Sequence, residues 1–244
     1  MADTTRIARY DFTDARALVV GASRAGIGAA IARALSDAGA HVTITGMEER
    51  AAKSEADLPY ARLDVTDGGA VERLAAETER LDVLVNCAAI TARGEEMEPG
   101  FFGRVVDVNL TGSFRTALAF HPHLSASKGA LVNVASMYAR FGSPRNPAYG
   151  ASKAAVEQLT RSLAIAWAPD GVRVNAVAPG FIVTAQSARS REDPQHVANV
   201  EARTPLGRWG GPEDIAGTVL FLASDASAFM TGATIPVDGG YSVV

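Results

Sequence analysis

The chain of 244 residues holds one cysteine, Cys87. No intramolecular disulfide can form, and a cysteine-built metal site is not expected. Histidine is scarce as well. His121 and His123 flank Pro122, with no carboxylate or cysteine at ligand spacing. They read as surface or end-of-helix residues, and no metal is expected. No stretch offers about 18 uncharged apolar residues, the length a membrane-crossing helix needs. Residues 1–16 form a short polar extension, without the apolar run of a signal peptide or anchor. Neither charge sign dominates: the formal net charge is -4. Nothing therefore draws the chain to nucleic acid or an anionic membrane. There is no internal repeat, low-complexity tract or linker. These absences leave a soluble, cytoplasmic protein as the expectation.

What is present is a large apolar fraction, 48%, arranged in short runs. Residues 17–20 are apolar and partly β-branched, as in a buried strand. A glycine-rich turn follows at residues 21–28, then a helical stretch over 29–38 closed by Gly39. Strand, glycine turn and helix in that order suit a pyrophosphate, because the helix start offers free amides and positive dipole. Further strands are expected at 41–45, 60–65, 82–86, 130–135, 172–178 and 234–237. Helical stretches lie between them, one of them over 98–124, where Pro122 is expected to end or kink the helix. Residues 181–208 are polar and longer than a usual loop, and are expected to carry helical turns and serve as a lid. Strands alternating with helices make one doubly wound parallel sheet of the α/β class, in a single domain over 1–244.

Four positions stand out chemically. Tyr149 and Lys153 sit four apart at the head of a helix, on one face. An ammonium beside a phenol is expected to lower the tyrosine pKa, so that it exchanges a proton near neutral pH. Asn109 is polar among apolar neighbours and must be hydrogen-bonded, as a structural clamp or as part of a site. Cys87 follows the fourth strand at its carboxyl end, where ligands bind in open parallel sheets. With no histidine near in sequence, it reads as a buried, inert thiol.

Taken together, these motifs resemble the short-chain dehydrogenase/reductase family, with a look of its 3-oxoacyl reductases. The matching residues run from Gly21, Gly26, Ile27 and Gly28 through Asp64-Val65, Asn86-Cys87-Ala88-Ala89, Asn109, Ser136 and Tyr149…Lys153. They end with Pro179-Gly180…Thr184 and Asp238-Gly239-Gly240. The resemblance covers nearly the whole chain and implies a Rossmann fold of about seven strands. It also implies hydride transfer between a nicotinamide cofactor and a ketone or secondary alcohol.

Site roles follow from the resemblance. Tyr149 is the proton donor or acceptor, and Lys153 lowers its pKa and bonds the nicotinamide ribose. Ser136 holds the substrate oxygen, and Asn109 holds a water in a relay ending at Lys153. The cofactor is expected along Gly21, Ser23, Arg24, Gly26, Ile27 and Gly28. Asp64 contacts the adenine, Asn86 lies near the adenosine ribose and Thr184 holds the carboxamide, with Val65, Ala88, Tyr149, Lys153, Pro179, Gly180 and Ile182 as further cofactor-binding residues. There are three departures. Four residues separate Gly21 from Gly26 where the family usually has three, so the turn is expected to bulge. Ala89 stands where the family usually has glycine. The second strand ends on neutral Gly46, not on an acid.

With Arg24 and Arg50 nearby, that last departure leans to NADP, and NAD stays open: Glu48 and Glu49 oppose a phosphate if they point inwards, and otherwise start a helix and face solvent. The small-molecule substrate is expected to meet Met137, Tyr138, Arg140, Phe141, Arg145, Asn146 and Arg93. An arginine there would grip a carboxylate or phosphate. A homo-oligomer, tetramer or dimer, is implied. The alternative is a catalytically idle dinucleotide-binding sensor or scaffold.

Overall fold

The computed structural model describes residues 10–55 and 57–244. Residues 1–9 of the expected polar extension lie outside these. The rest of that extension is tied down: Phe12 is buried, and its amide donates to Ala38 O at 2.8 Å.

Seven parallel strands form one sheet in the order β3-β2-β1-β4-β5-β6-β7. They are β1 Arg16–Val20, β2 His41–Gly46, β3 Tyr60–Arg62, β4 Val83–Asn86, β5 Ala130–Val134, β6 Arg173–Pro179 and β7 Thr234–Val237. The helices are α1 Ile27–Asp37, α2 Gly68–Glu77, α3 Pro99–Val106, α4 Gly112–Ser127 and α5 Pro147–Trp167, then α6 Ala188–Arg191, α7 Pro194–Arg203 and α8 Pro212–Ala223. The long segment after β6 thus contains α6 and α7. None of the described helices is long and apolar enough to cross a membrane.

Alternation along each strand divides the apolar side chains between two faces. Val19, Val85, Val132 and Val177 pack with Ile31 and Leu35 of α1 and Ile215 and Val219 of α8. Leu18, Leu84, Leu131 and Val174 pack with Phe120 and Leu124 of α4 and Leu163 and Trp167 of α5. Both faces are covered, so the strands read as continuous apolar runs. Strand order reverses between β1 and β4. A crevice opens there at the carboxyl ends of the strands, where such sheets take their ligands.

Two expectations change here. The helical stretch over 98–124 is two helices joined by a π-helical turn, Asp107–Thr111, and Asn109 sits in that turn. Pro122 lies inside α4, which continues to Ser127. Its missing N–H would have served the turn containing Leu118, and Leu118 is 55% exposed. One lost bond on the solvent side of α4 does not stop the helix. His121 and His123 are therefore mid-helix residues. They bond Asp170 Oδ2 at 3.0 Å and Thr78 O at 2.8 Å.

Candidate active site

The glycine turn brings β1 against the loop after β4. Gly21 has φ +87, and a Cβ there would stand 2.5 Å from the Ala88 Cα. Only glycine permits both the conformation and the approach. The extra residue of the turn is taken up before α1 starts at Ile27. Gly26 N-caps α1 with no side-chain bond, so the first amides of the helix face a cleft of about 640 Å³. Gly21, Ser23, Arg24, Gly26, Ile27, Gly28, Val65, Ala88, Tyr149, Lys153 and Thr184 all line it.

At its far end the cleft meets one of the two acids just past β2, whose direction the residue order leaves open. Glu48 turns back under the end of β2. It accepts from Ser23 Oγ at 2.5 Å and pairs with Arg24 Nε at 2.6 Å. The Ser23 bond, then Arg24, holds its carboxyl below the usual range, against partial burial. Gly46 makes the room, since a Cβ there would stand 2.1 Å from Ser23 Oγ. The neutral residue at the strand end is thus the reason an acid two positions later reaches the cleft. Arg50 is exposed and does not line it.

Two residues expected at the cofactor lie outside the lining of the cleft. Asn86 is buried and spent elsewhere. Its Nδ2 donates to Ser113 O at 3.0 Å and Asn133 Oδ1 at 3.1 Å, and its Oδ1 accepts from Thr116 Oγ1 at 2.7 Å. It ties β4 to β5 and α4 and does not line the cleft. Asp64 borders an adjacent recess, where its Oδ1 accepts from Thr66 N and Oγ1. Pro179, Gly180 and Ile182 line a second chamber.

That chamber, about 300 Å³, opens beyond Tyr149. Ser136 and Tyr149 stand in it, and Thr91, Arg93, Glu95, Met137, Tyr138, Arg189 and Trp209 are among its walls. Arg93 Nη1 donates to Ser190 Oγ. Two of the expected arginines are not there. Arg140 lies 3.5 Å from the buried Glu157 carboxylate, and Arg145 is exposed outside the lining. Arg189, from α6, takes their place.

Tyr149 and Lys153 share one face of α5, with Nζ 5.7 Å from the ring centroid. Lys153 is buried and donates to Val134 O at 2.6 Å. The expected lowering of the tyrosine pKa is not what the geometry produces. Burial disfavours charge on both groups. It pushes Tyr149 up to about 12, with the Ser136 hydrogen bond as the counterweight. It pulls Lys153 down to about 8. Cys87 lines the cleft, and burial raises its thiol to about 11, which keeps it protonated and inert.

Asn109 is fully buried and clamps the loop after β4. Its Oδ1 accepts from Ile90 N at 2.8 Å, and its Nδ2 donates to Ile90 O at 3.0 Å and Ser152 Oγ at 3.1 Å. Of the two readings of this residue, the side chain displays the clamp. Among the described residues no group of three histidine, cysteine or acidic side chains is placed to hold a metal.

The donor set fits a dinucleotide. Free helix amides suit a pyrophosphate, an acid near β2 suits ribose hydroxyls, and a buried ammonium offers further donors. The comparisons agree. A family model described as Enoyl-(Acyl carrier protein) reductase matches residues 21–242. Cis-4-hydroxycyclohexanecarboxylate dehydrogenase of Sinomonas cyclohexanicum is 41% identical, over 96% of this chain and 98% of its own. Galactitol 2-dehydrogenase (L-tagatose-forming) of Cereibacter sphaeroides is also 41% identical, over 93% and 94%. The structure of a gluconate 5-dehydrogenase from Burkholderia cenocepacia J2315, in complex with NADP and tartrate, superposes with TM-score 0.91. Its identity is 33%, covering 97% of this chain and 98% of that one. The fold and site define a nicotinamide-dependent oxidoreductase of the Rossmann type. The chain belongs to the short-chain dehydrogenase/reductase family and is an NAD(P)-dependent enzyme acting on CH–OH groups and their ketones.

The buried ammonium has a stability consequence. With its folded pKa near 8 and its ordinary value 10.5, Lys153 binds fewer protons folded than unfolded between those pH values. Its contribution to stability is therefore least favourable below pH 8 and recovers as pH rises to about 10.5. Lys153→Met should abolish turnover yet stabilise the fold at pH 7 by about 1–3 kcal/mol. Urea unfolding from pH 7 to 10 should show that advantage shrinking with pH.

Proposed function

We propose that Tyr149 exchanges the substrate proton, that Ser136 hydrogen-bonds the substrate oxygen, and that Lys153 and Asn109 support them. Support comes from the meeting of Ser136 and Tyr149 in the chamber next to the cleft, with the Ser136 bond acting on the phenol. Bound nicotinamide supplies or accepts the hydride. In reduction, the neutral Tyr149 phenol gives its proton to the carbonyl oxygen as the alcohol forms, while Ser136 donates to that oxygen. In oxidation, Tyr149 must first lose its proton, and as the phenolate it takes the hydroxyl proton. Asn109 keeps the loop after β4 against α5, and so holds the wall of the chamber. Tyr149→Phe should lower kcat by about 10³-fold or more while the Kd for reduced nicotinamide stays within about twofold. Quenching of protein fluorescence measures the second, and substantial residual turnover would sink the role.

The substrate we propose is a secondary alcohol or ketone carrying a carboxylate. The observation behind this is that Arg93 and Arg189 line the chamber, against one exposed acid, Glu95. Guanidinium groups match a carboxylate in charge and shape. Two similar proteins, the hydroxycyclohexanecarboxylate and gluconate dehydrogenases, are named for hydroxy acids. A substrate panel should favour hydroxy acids over neutral polyols of the same size. Arg189→Ala should raise KM for the acid about tenfold and leave a neutral alcohol unchanged. Equal KM effects on both would remove the idea.

For the cofactor, the lean to NADP rested on a missing acid, and Glu48 supplies one. Its carboxylate, held by Ser23 and Arg24, opposes a 2′-phosphate and suits a ribose diol. We therefore propose NAD as the preferred cofactor. The kcat/KM ratio should favour NAD at least about tenfold, and Glu48→Ala should narrow it by releasing Arg24. A parent enzyme that favours NADP would overturn this reading.

A cytoplasmic, single-domain homo-oligomer with residues 181–208 as lid completes the proposal. Exposed Phe101, Phe102, Phe114 and Leu118 on α3 and α4, with Ile165 on α5, support the association.

A further inference from the structure

Glu96 is a carboxylate with 0% exposure in the loop between β4 and α3. Three donors converge on it. Thr91 Oγ1 and Ala92 N donate to Oε1 at 2.7 and 2.9 Å, and Tyr149 N donates to Oε2 at 2.9 Å. A buried carboxylate persists only with such partners. The third donor is the informative one. Tyr149 is the third residue of α5, and its amide is one of the four that a helix cannot satisfy internally. The residue placed to cap it, Asn146, makes no side-chain cap bond. Instead, Asn146 Nδ2 donates to Thr91 Oγ1 at 2.6 Å. The capping is done from a segment 53 residues away.

That segment is also the wall of the site. Thr91 lines both the cleft and the chamber. Glu96 therefore joins the loop that borders both cavities to the backbone of the tyrosine that serves the chamber. A negative group at a helix start is favourable in its own right. Here it also sets how far the first turn of α5 stands from the loop after β4.

We propose that Glu96 is a positioning residue for Tyr149, fixing its backbone against the Thr91 loop so that the phenol and Ser136 face one substrate oxygen. This deepens the reading of Tyr149 as the proton-exchanging group and rests on it. The charge has a second effect, since it adds to the upward pressure on the Tyr149 pKa.

The test is E96Q, which keeps size and one carbonyl acceptor but cannot serve both sets of donors. Its kcat should fall about 10- to 100-fold, the scale of a small misplacement of a reacting group. The Kd for reduced nicotinamide should stay within about twofold. The rising limb of the pH profile of alcohol oxidation should move towards lower pH, because a negative charge has been removed. A purely structural role would lower the unfolding midpoint and leave that limb in place. A kcat and pH limb equal to the parent's would overturn the proposal, as would a fall in kcat matched by loss of cofactor binding. Should E96Q fail to fold, T91V decides. It removes one donor to the carboxylate with little change of shape. Its kcat should fall threefold or more at unchanged cofactor affinity, and an unchanged kcat overturns the proposal. Failure of the Tyr149 reading is distinct: it shows as turnover by Tyr149→Phe, whatever Glu96 variants do.

Discussion

The hydrogen bond from the Lys153 ammonium to the Val134 carbonyl is the contact on which the site depends. It carries a charge into the interior at 2.6 Å from the last residue of β5. Burying an ammonium is unfavourable, and the lowered pKa of Lys153 records it. The bond fixes α5 against the carboxyl end of β5. Ser136, two residues past that end, then meets Tyr149, one helical turn before the lysine. The same burial that fixes the pair keeps the phenol protonated at neutral pH, with its pKa near 12. As built, the phenol is better prepared to give a proton than to take one.

Around that contact the polar interior is divided between two tasks. Asn86, Asn133, Thr116 and Thr160 bond one another across β4, β5, α4 and α5. They lock the sheet to the helices on one face, just below the crevice. Asn109 and Glu96 perform a similar service for the loop after β4, one against Ile90 and Ser152, the other against Thr91 and Tyr149. A loop at a ligand site is ordinarily the soft part of such a fold. Here two buried side chains hold it at both ends, which is what catalysis by positioning demands.

Local sequence determined the frame. Short β-branched runs, helical periods between them and a glycine turn after the first strand specify a parallel α/β sheet and the place of its crevice. The Tyr149–Lys153 spacing specifies a shared helix face. Gly21 is legible for the same reason, because its task is a backbone conformation. These are properties of neighbouring residues, and a sequence displays them directly.

Tertiary structure decided where the polar side chains went. Glu48 had two choices, solvent or cleft, and the room beside Gly46 with the Ser23 hydroxyl drew it inward. Asn86 turned from the cofactor side to Asn133, 47 residues on. Arg140 faces Glu157, outside the chamber beyond Tyr149. Glu96 sits in a stretch with Glu95 and Glu98, and nothing in the residue order distinguishes it from them. The sign of the Tyr149 pKa shift was settled in the same way. Spacing alone places a cation one turn away, but the depth of burial outweighs it, and depth is a property of the packed molecule. A side chain's partner is chosen by distance in space, and only the folded chain sets that distance.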